Sequence, residues 1–215
     1  MSITRTRLMA AAQKRYIALT YKVTDASTDT QLFPPYANLS GFPQTMTVDG
    51  TEVPLARSYR FGAAGVHTVL LAADGIASIP NSAFQGCTAL ASVGDLSSVT
   101  GIGEYAFFGC TSLASVGDLS SVTSIGGNAF RGCSALTSVG SLSSVTSIGN
   151  GAFLGCAALT EFVLSVAAPP QLGTNVFHNT NFSIYVPDAA LEAYRTATNW
   201  SAYAARIHPM SELNH

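Results

Sequence analysis

Charge is scarce in this chain. Ten Lys and Arg and twelve Asp and Glu among 215 residues leave 10% charged positions and a net charge of −2. Between Gly75 and Leu159 the only charged residues are Asp95, Glu104, Asp118 and Arg131. Proteins that grip DNA or RNA do so mainly by neutralising phosphates, and this chain has no basic excess with which to do it. Nucleic acid is therefore excluded as the expected partner. Long apolar runs are also missing. Although 47% of residues are hydrophobic, no stretch approaches the roughly 18 residues of a spanning helix, so membrane insertion is not expected. Catalytic signatures are absent: there is no Gly-x-Ser-x-Gly, phosphate loop or His-Glu-x-x-His, and His67, His178, His208 and His215 stand at no ligand spacing. The sequence predicts no enzyme, no cofactor and no metal.

What the chain does have is a phrase written four times. Ser82-Ala83-Phe84-Gln85-Gly86-Cys87 recurs as Tyr105 to Cys110, Asn128 to Cys133 and Gly151 to Cys156, each Phe 23 residues after the last. A fixed period in this range marks a solenoid, in which each coil cannot bury its apolar side alone and shares a core with its neighbours. Leu90, Val93, Leu96, Val99, Ile102, Phe107 and Cys110 are the apolar marks of one period, and the next two copies repeat them. Steps of three residues suit neither a sustained strand nor a helix. They fit a narrow coil of short extended segments and bends, with Gly-Asp, Ser-Ser and Ile-Gly pairs at the bends. Stacked coils then lie about 4.8 Å apart.

The four cysteines, Cys87, Cys110, Cys133 and Cys156, share one phase of the coil. Such a line spans about 14 Å over three strand spacings, whereas zinc gathers its sulfurs within about 2.3 Å, and parallel Cβ vectors about 4.8 Å apart exceed disulfide geometry. They read as a column of small buried apolar residues. Asp95 and Asp118 also share a phase, but the next copy has Ser141. They read as turn carboxylates rather than as an acid/base pair or half a calcium site.

Leu113 to Gly126, followed by Ala129-Phe130-Arg131-Gly132-Cys133, resembles the BspA-like leucine-rich repeats of bacterial surface proteins, frequent in gut Bacteroidetes. The likeness extends through Ala168 to Phe177, Ile184-Tyr185-Val186-Pro187 and Leu191, Tyr194, Trp200, Tyr203, Arg206 and Ile207. The resemblance implies a right-handed coil with a parallel sheet on one face, a location at the cell surface or outside the cell, and adhesion or ligand binding. It carries no catalytic residue.

The expected architecture is mainly β: a leucine-rich repeat solenoid of 23-residue coils with a small N-terminal β domain and a C-terminal strand-helix cap. Residues 1–15 are read as a tail, 16–73 as a small antiparallel β domain serving as N-cap, 74–180 as the solenoid and 181–215 as the C-terminal cap. Within 16–73, extended stretches fall at Tyr16 to Val23, Thr45 to Val53 and Val66 to Leu71, the last read as a hairpin with Tyr59-Arg60-Phe61. Asp188 is placed as the cap of a helix whose Leu191, Tyr194, Tyr203 and Ile207 cover the last coil. No signal peptide is evident, because the apolar run Leu8 to Ala12 stops at Gln13-Lys14-Arg15.

Columns that vary between copies face outward. Gln85, Phe108, Arg131 and Leu154 form one, and Asn81, Glu104, Gly127 and Asn150 another. Tyr105 and Phe108 are the aromatic pair among them, so Glu104, Tyr105, Phe108, Asn128 and Arg131 make the candidate binding surface. The expected function is a non-catalytic, surface-associated binding module, an adhesin for a host protein or glycan, on a monomeric chain. The alternative is a structural spacer or assembly element, as in a phage or appendage, with no dedicated ligand.

Overall fold

The computed structural model describes residues 15–213 apart from Asn38 and Ser40; the tail expected at 1–15 lies outside them except for Arg15. The N-terminal region holds β1 (Tyr16–Val23), β2 (Thr30–Gln31), β3 (Thr45–Val48), β4 (Thr51–Pro54), β5 (Ser58–Tyr59) and β6 (Gly65–Ala72). In β1, Ile17, Leu19, Tyr21 and Val23 alternate inward, as a half-buried strand requires. From Ser78 the strands shorten: β7 (Ser78–Ile79), β8 (Leu90–Val93), β9 (Gly101–Ile102), β10 (Ser115–Val116), β11 (Ser124–Ile125), β12 (Ser141–Leu142), β13 (Ser147–Ile148), β14 (Glu161–Leu164) and β15 (Gln171–Leu172). The chain closes with β16 (Ser183–Val186), α1 (Leu191–Thr196) and β17 (Ile207–Pro209).

Identical residues of successive repeats pair in parallel. Ile102, Ile125 and Ile148 share a ladder, continued by Leu172 and preceded by Ile79, in the sheet β15-β13-β11-β9-β7. A second ladder runs along the other stretch of the repeat, first as β8 with β10, then as β12-β14-β16-β17. Parallel pairing is thus not confined to the single sheet implied by the resemblance: it falls in β10-β8, in β15-β13-β11-β9-β7 and in β12-β14-β16-β17, because more than one stretch of each repeat is extended. A third backbone ladder joins the bends, where Phe107 N–H donates to Ala129 O at 2.7 Å and Gly109 N–H to Arg131 O at 2.8 Å.

The core is a set of columns. Leu90, Val93, Leu96, Val99, Ile102, Phe107 and Cys110 are all buried, as are their counterparts in the next two repeats. The Phe rings stack face to face, Phe84 on Phe107, Phe107 on Phe130 and Phe130 on Phe153, at 5.1–5.2 Å and within 10° of parallel. The Ile-Gly pairs have a steric cause. A Cβ on Gly126 would stand 2.5 Å from Glu104 N, and one on Gly149 2.5 Å from Gly127 N. Neither backbone can move aside without separating the repeats.

Both ends imitate a missing neighbour. At the start, β1 pairs antiparallel with β8 as well as with β6, so the six-stranded sheet β10-β8-β1-β6-β3-β4 spans the expected boundary at residue 73. Phe33 extends the ring column, 5.3 Å from Phe84. At the far end, side chains supply the donors that a further repeat would bring. Trp200 Nε1–H donates to Pro170 O (2.7 Å), Asn199 Nδ2–H to Leu172 O (2.6 Å), Tyr194 Oη–H to Val166 O (2.9 Å) and Arg206 Nη1–H to Thr180 O (2.9 Å). Trp200, Tyr194 and Ile207 are wholly buried.

Two sequence expectations fail here. Val66 to Leu71 form no hairpin with Tyr59-Arg60-Phe61: β6 lies between β1 and β3, while β5 pairs with β2. The hairpin in this region is β3–β4, turned at Asp49-Gly50. Asp188 caps no helix. It sits inside a short 3-10 turn that begins after Pro187, and its Oδ1 accepts the Ser211 N–H at 3.1 Å.

Candidate binding surface

The bends place one column of residues in the left-handed backbone region. Ser82, Tyr105, Asn128 and Asn175 have φ of 55–57°, and Gly151 has 61°. Asn and Gly enter this region readily, whereas a bulky side chain there costs about 1–2 kcal/mol. Tyr105 is therefore the misfit of its column. It is also 39% exposed, so burial repays only part of the strain.

Around it, four of the five sequence-predicted residues come together. The Tyr105 and Phe108 rings are 5.7 Å apart. Arg131 lies over Phe108 at 5.7 Å from the ring centroid, and its Nη1–H donates to Asn128 Oδ1 at 3.4 Å. The fifth, Glu104, is exposed, and its backbone N–H donates to Asn81 Oδ1 at 2.9 Å.

Sequence reasoning missed the concavity beside this patch. A groove of about 660 Å³ runs across the repeats, lined by Glu104, Tyr105 and Asn128 together with Ser124, Ser147 and Gln171. Gly103, Gly126, Gly149 and Gly173 line it too. These glycines were legible as Ile-Gly turn pairs, but a groove exists only once stacking has lined them up. Phe108 and Arg131 stand outside it, adjoining through Tyr105 and Asn128. The lining combines hydroxyl, amide and backbone groups with Ile102, Ile125, Ile148 and Leu172, and Glu104 is its charged side chain.

The other candidates settle into structural roles. Asp95 Oδ1 accepts Ser97 N–H and Asp118 Oδ1 accepts Ser120 N–H, both at 2.8 Å, closing the turns after the glycines. For Asp95 that hydrogen bond holds the carboxyl below its ordinary range. Among the described residues, no group of three or more His, Cys, Asp and Glu is arranged to hold a metal ion, and no helix is long and apolar enough to cross a membrane.

The cysteines are free and buried, each thiol aimed at a backbone carbonyl of the preceding unit. Cys110 Sγ donates to Phe84 O (3.0 Å), Cys133 to Phe107 O and Cys156 to Phe130 O (both 3.1 Å), and Cys87 to Leu32 O (3.3 Å). Leu32 thus stands in for the Phe of a missing repeat. Burial pushes Cys87 and Cys156 up to about 12 and lifts Cys110 and Cys133 well above the ordinary value. Native protein treated with an alkylating reagent is expected to leave all four unmodified, and unfolded protein to react at all four, as read by mass spectrometry. A raised folded value means that this stabilisation is complete below the unfolded thiol value of about 8.5 and is lost as pH rises toward about 12.

Parallel strand ladders at a fixed repeat, bends satisfied by the next unit and dedicated ends define a leucine-rich repeat protein, mainly β with few helices. Residues 58–188 match the BspA type leucine rich repeat region in six copies, and the chain belongs to that family. A solved leucine-rich cell surface protein from Faecalibacterium prausnitzii A2-165 aligns at 25% identity and a TM-score of 0.40, over 64% of this chain and 44% of its own. The matched part thus spans less than half of that protein. No curated protein matches this chain.

Proposed function

We propose that this chain is a non-catalytic binding module displayed at a bacterial cell surface, and that its capped solenoid takes an extended neutral glycan along the groove, with Tyr105 at the rim. The observation that carries this reading is Tyr105 itself, an exposed aromatic in a strained backbone position that Asn128, Gly151 and Asn175 occupy without cost. A tyrosine presents a rigid apolar face and a hydroxyl, which match the two sides of a sugar ring. The hydroxyl and amide lining supports a partner met by hydrogen bonds, and the scarcity of charge disfavours an ionic one. The surface location rests on family membership.

Binding of the purified protein to a panel of linear neutral and charged oligosaccharides tests it, with Tyr105→Asn and Phe108→Ser alongside. Tyr105→Asn is expected to weaken glycan binding by about tenfold or more. The same variant is expected to stabilise the fold by roughly 0.5–1 kcal/mol, since relief of the left-handed strain exceeds the loss of an exposed ring contact. The rival reading is a ligand-free spacer, favoured by the near-identity of the internal repeats. It expects the gain in stability with no ligand for either protein. Retention of a host protein with no glycan binding would also overturn the glycan reading. Protection of the native chain from protease on intact cells would overturn its surface location.

A further inference from the structure

The imidazole of His67, on β6, makes two hydrogen bonds to groups that only accept. Nδ1 lies 2.6 Å from Asp49 Oδ2, in the β3–β4 turn, and Nε2 lies 2.9 Å from the carbonyl of Ala63, in the loop leading into β6. A neutral imidazole has one N–H and can satisfy one of them; only the doubly protonated ring satisfies both. Asp49 is itself fixed. Its Oδ1 accepts the Thr68 N–H at 2.9 Å, and its own N–H donates to Thr68 O at 3.0 Å. The ring of Phe61 stacks on the imidazole at 4.3 Å, offering its negative face to the cation.

We propose that the Asp49–His67–Ala63 contact is a proton-operated latch: the imidazolium ties the loop at 62–65 to the hairpin turn, and loss of one proton releases the loop. The remaining titratable groups around it do not compete. Across β1 the register partner is Tyr21, whose phenol donates to Leu32 O and is kept neutral by burial. Next to Phe61, Arg60 is committed to Asp29 at 2.9 Å. On β4, Glu52 is exposed and paired in register with Thr47, and Lys22, paired with Val66, points to the opposite face from Tyr21.

The hydrogen bond to Asp49 lifts His67 above its ordinary value, against partial burial and with help from the Ala63 carbonyl and the nearby negative charge. For Asp49 burial opposes ionisation, but the His67 and Thr68 hydrogen bonds and the imidazolium charge outweigh it and hold the carboxyl low. The latch is therefore complete below the free-imidazole value of about 6.5 and is lost as pH rises through the higher folded value of His67. On the acid side it is lost as pH falls through the lowered value of Asp49.

The test is an NMR titration of the full chain, following the His67 ring and the backbone order of residues 62–65 together. The expected result is a His67 midpoint above the free-imidazole value, with loop order lost at the same midpoint. In Asp49→Asn the midpoint should fall, and in His67→Gln the loop order should not change with pH across this range. A wild-type His67 that titrates at or below the ordinary value, or a loop equally ordered on both sides of the transition, overturns the latch. The wild-type measurement decides even where a variant folds poorly.

Discussion

Replacing Phe107 or Phe130 with alanine is expected to destabilise the protein by about 3–5 kcal/mol, the upper range for a buried aromatic. Each ring is fully buried and sandwiched between like rings at 5.1–5.2 Å. Truncation would open a cavity that cannot collapse, because the spacing of the repeats is set by backbone hydrogen bonds such as Phe84 N–H to Ala106 O and Phe107 N–H to Ala129 O, both 2.7 Å. Two stacking partners lose their faces at once. At roughly 2–4 °C per kcal/mol for a chain of this size, melting should fall by about 6–20 °C. Phe107→Leu fills part of the space and should cost less. A loss under about 1 kcal/mol for both alanine variants would mean that the ring column is not a principal source of stability.

Removal of residues 188–215 should do more than destabilise. It strips Trp200, Tyr194, Asn199 and Arg206 from the carbonyls of Pro170, Val166, Leu172 and Thr180, and it uncovers Phe177, Phe182 and the β16 edge. Carbonyls and an apolar strand edge exposed together invite pairing with another copy. Size-exclusion chromatography should show the full chain as mostly monomer and the truncated chain as oligomer or aggregate. A truncated protein that stays monomeric with an unchanged melting temperature would deny the segment its role as a cap.

How much of this was legible before the structure depends on repetition. The period, the buried Phe and Cys columns and the outward columns were readable because three near-copies let each position be compared with itself. Where the chain does not repeat, local pattern found the extended stretches Tyr16 to Val23 and Val66 to Leu71 but not how they pair. A Gly-bearing loop at Gly62 to Gly65 looked like a hairpin turn, yet the partners of β6 are β1 and β3, both further upstream. Asp188 has the right residue type before an apolar run, but Pro187 starts the turn one residue early and sends the carboxylate to Ser211. Phe33 and Leu32 extend the ring and thiol columns without sharing the repeated phrase, so nothing in their own sequence marked them. The candidate site was half legible. Its aromatic pair stood out by composition, whereas the strain on Tyr105 and the groove beside it arise from backbone conformation and from the alignment of glycines on separate repeats.

The side-chain donors at the C-terminal end also bear on how such chains change length. Trp200, Asn199, Tyr194 and Arg206 are each fitted to one carbonyl near the end of the repeats, so a unit inserted before them would find these four carbonyls already taken. Internal units have no such individuality: Phe107 and Phe130 offer their neighbours the same ring, the same N–H and the same carbonyl. An in-frame duplication that copies one unit between Gly109 and Gly132 would leave both ends intact and simply lengthen the groove. The middle of the chain can therefore lengthen or shorten by whole units without disturbing the contacts on either side of it.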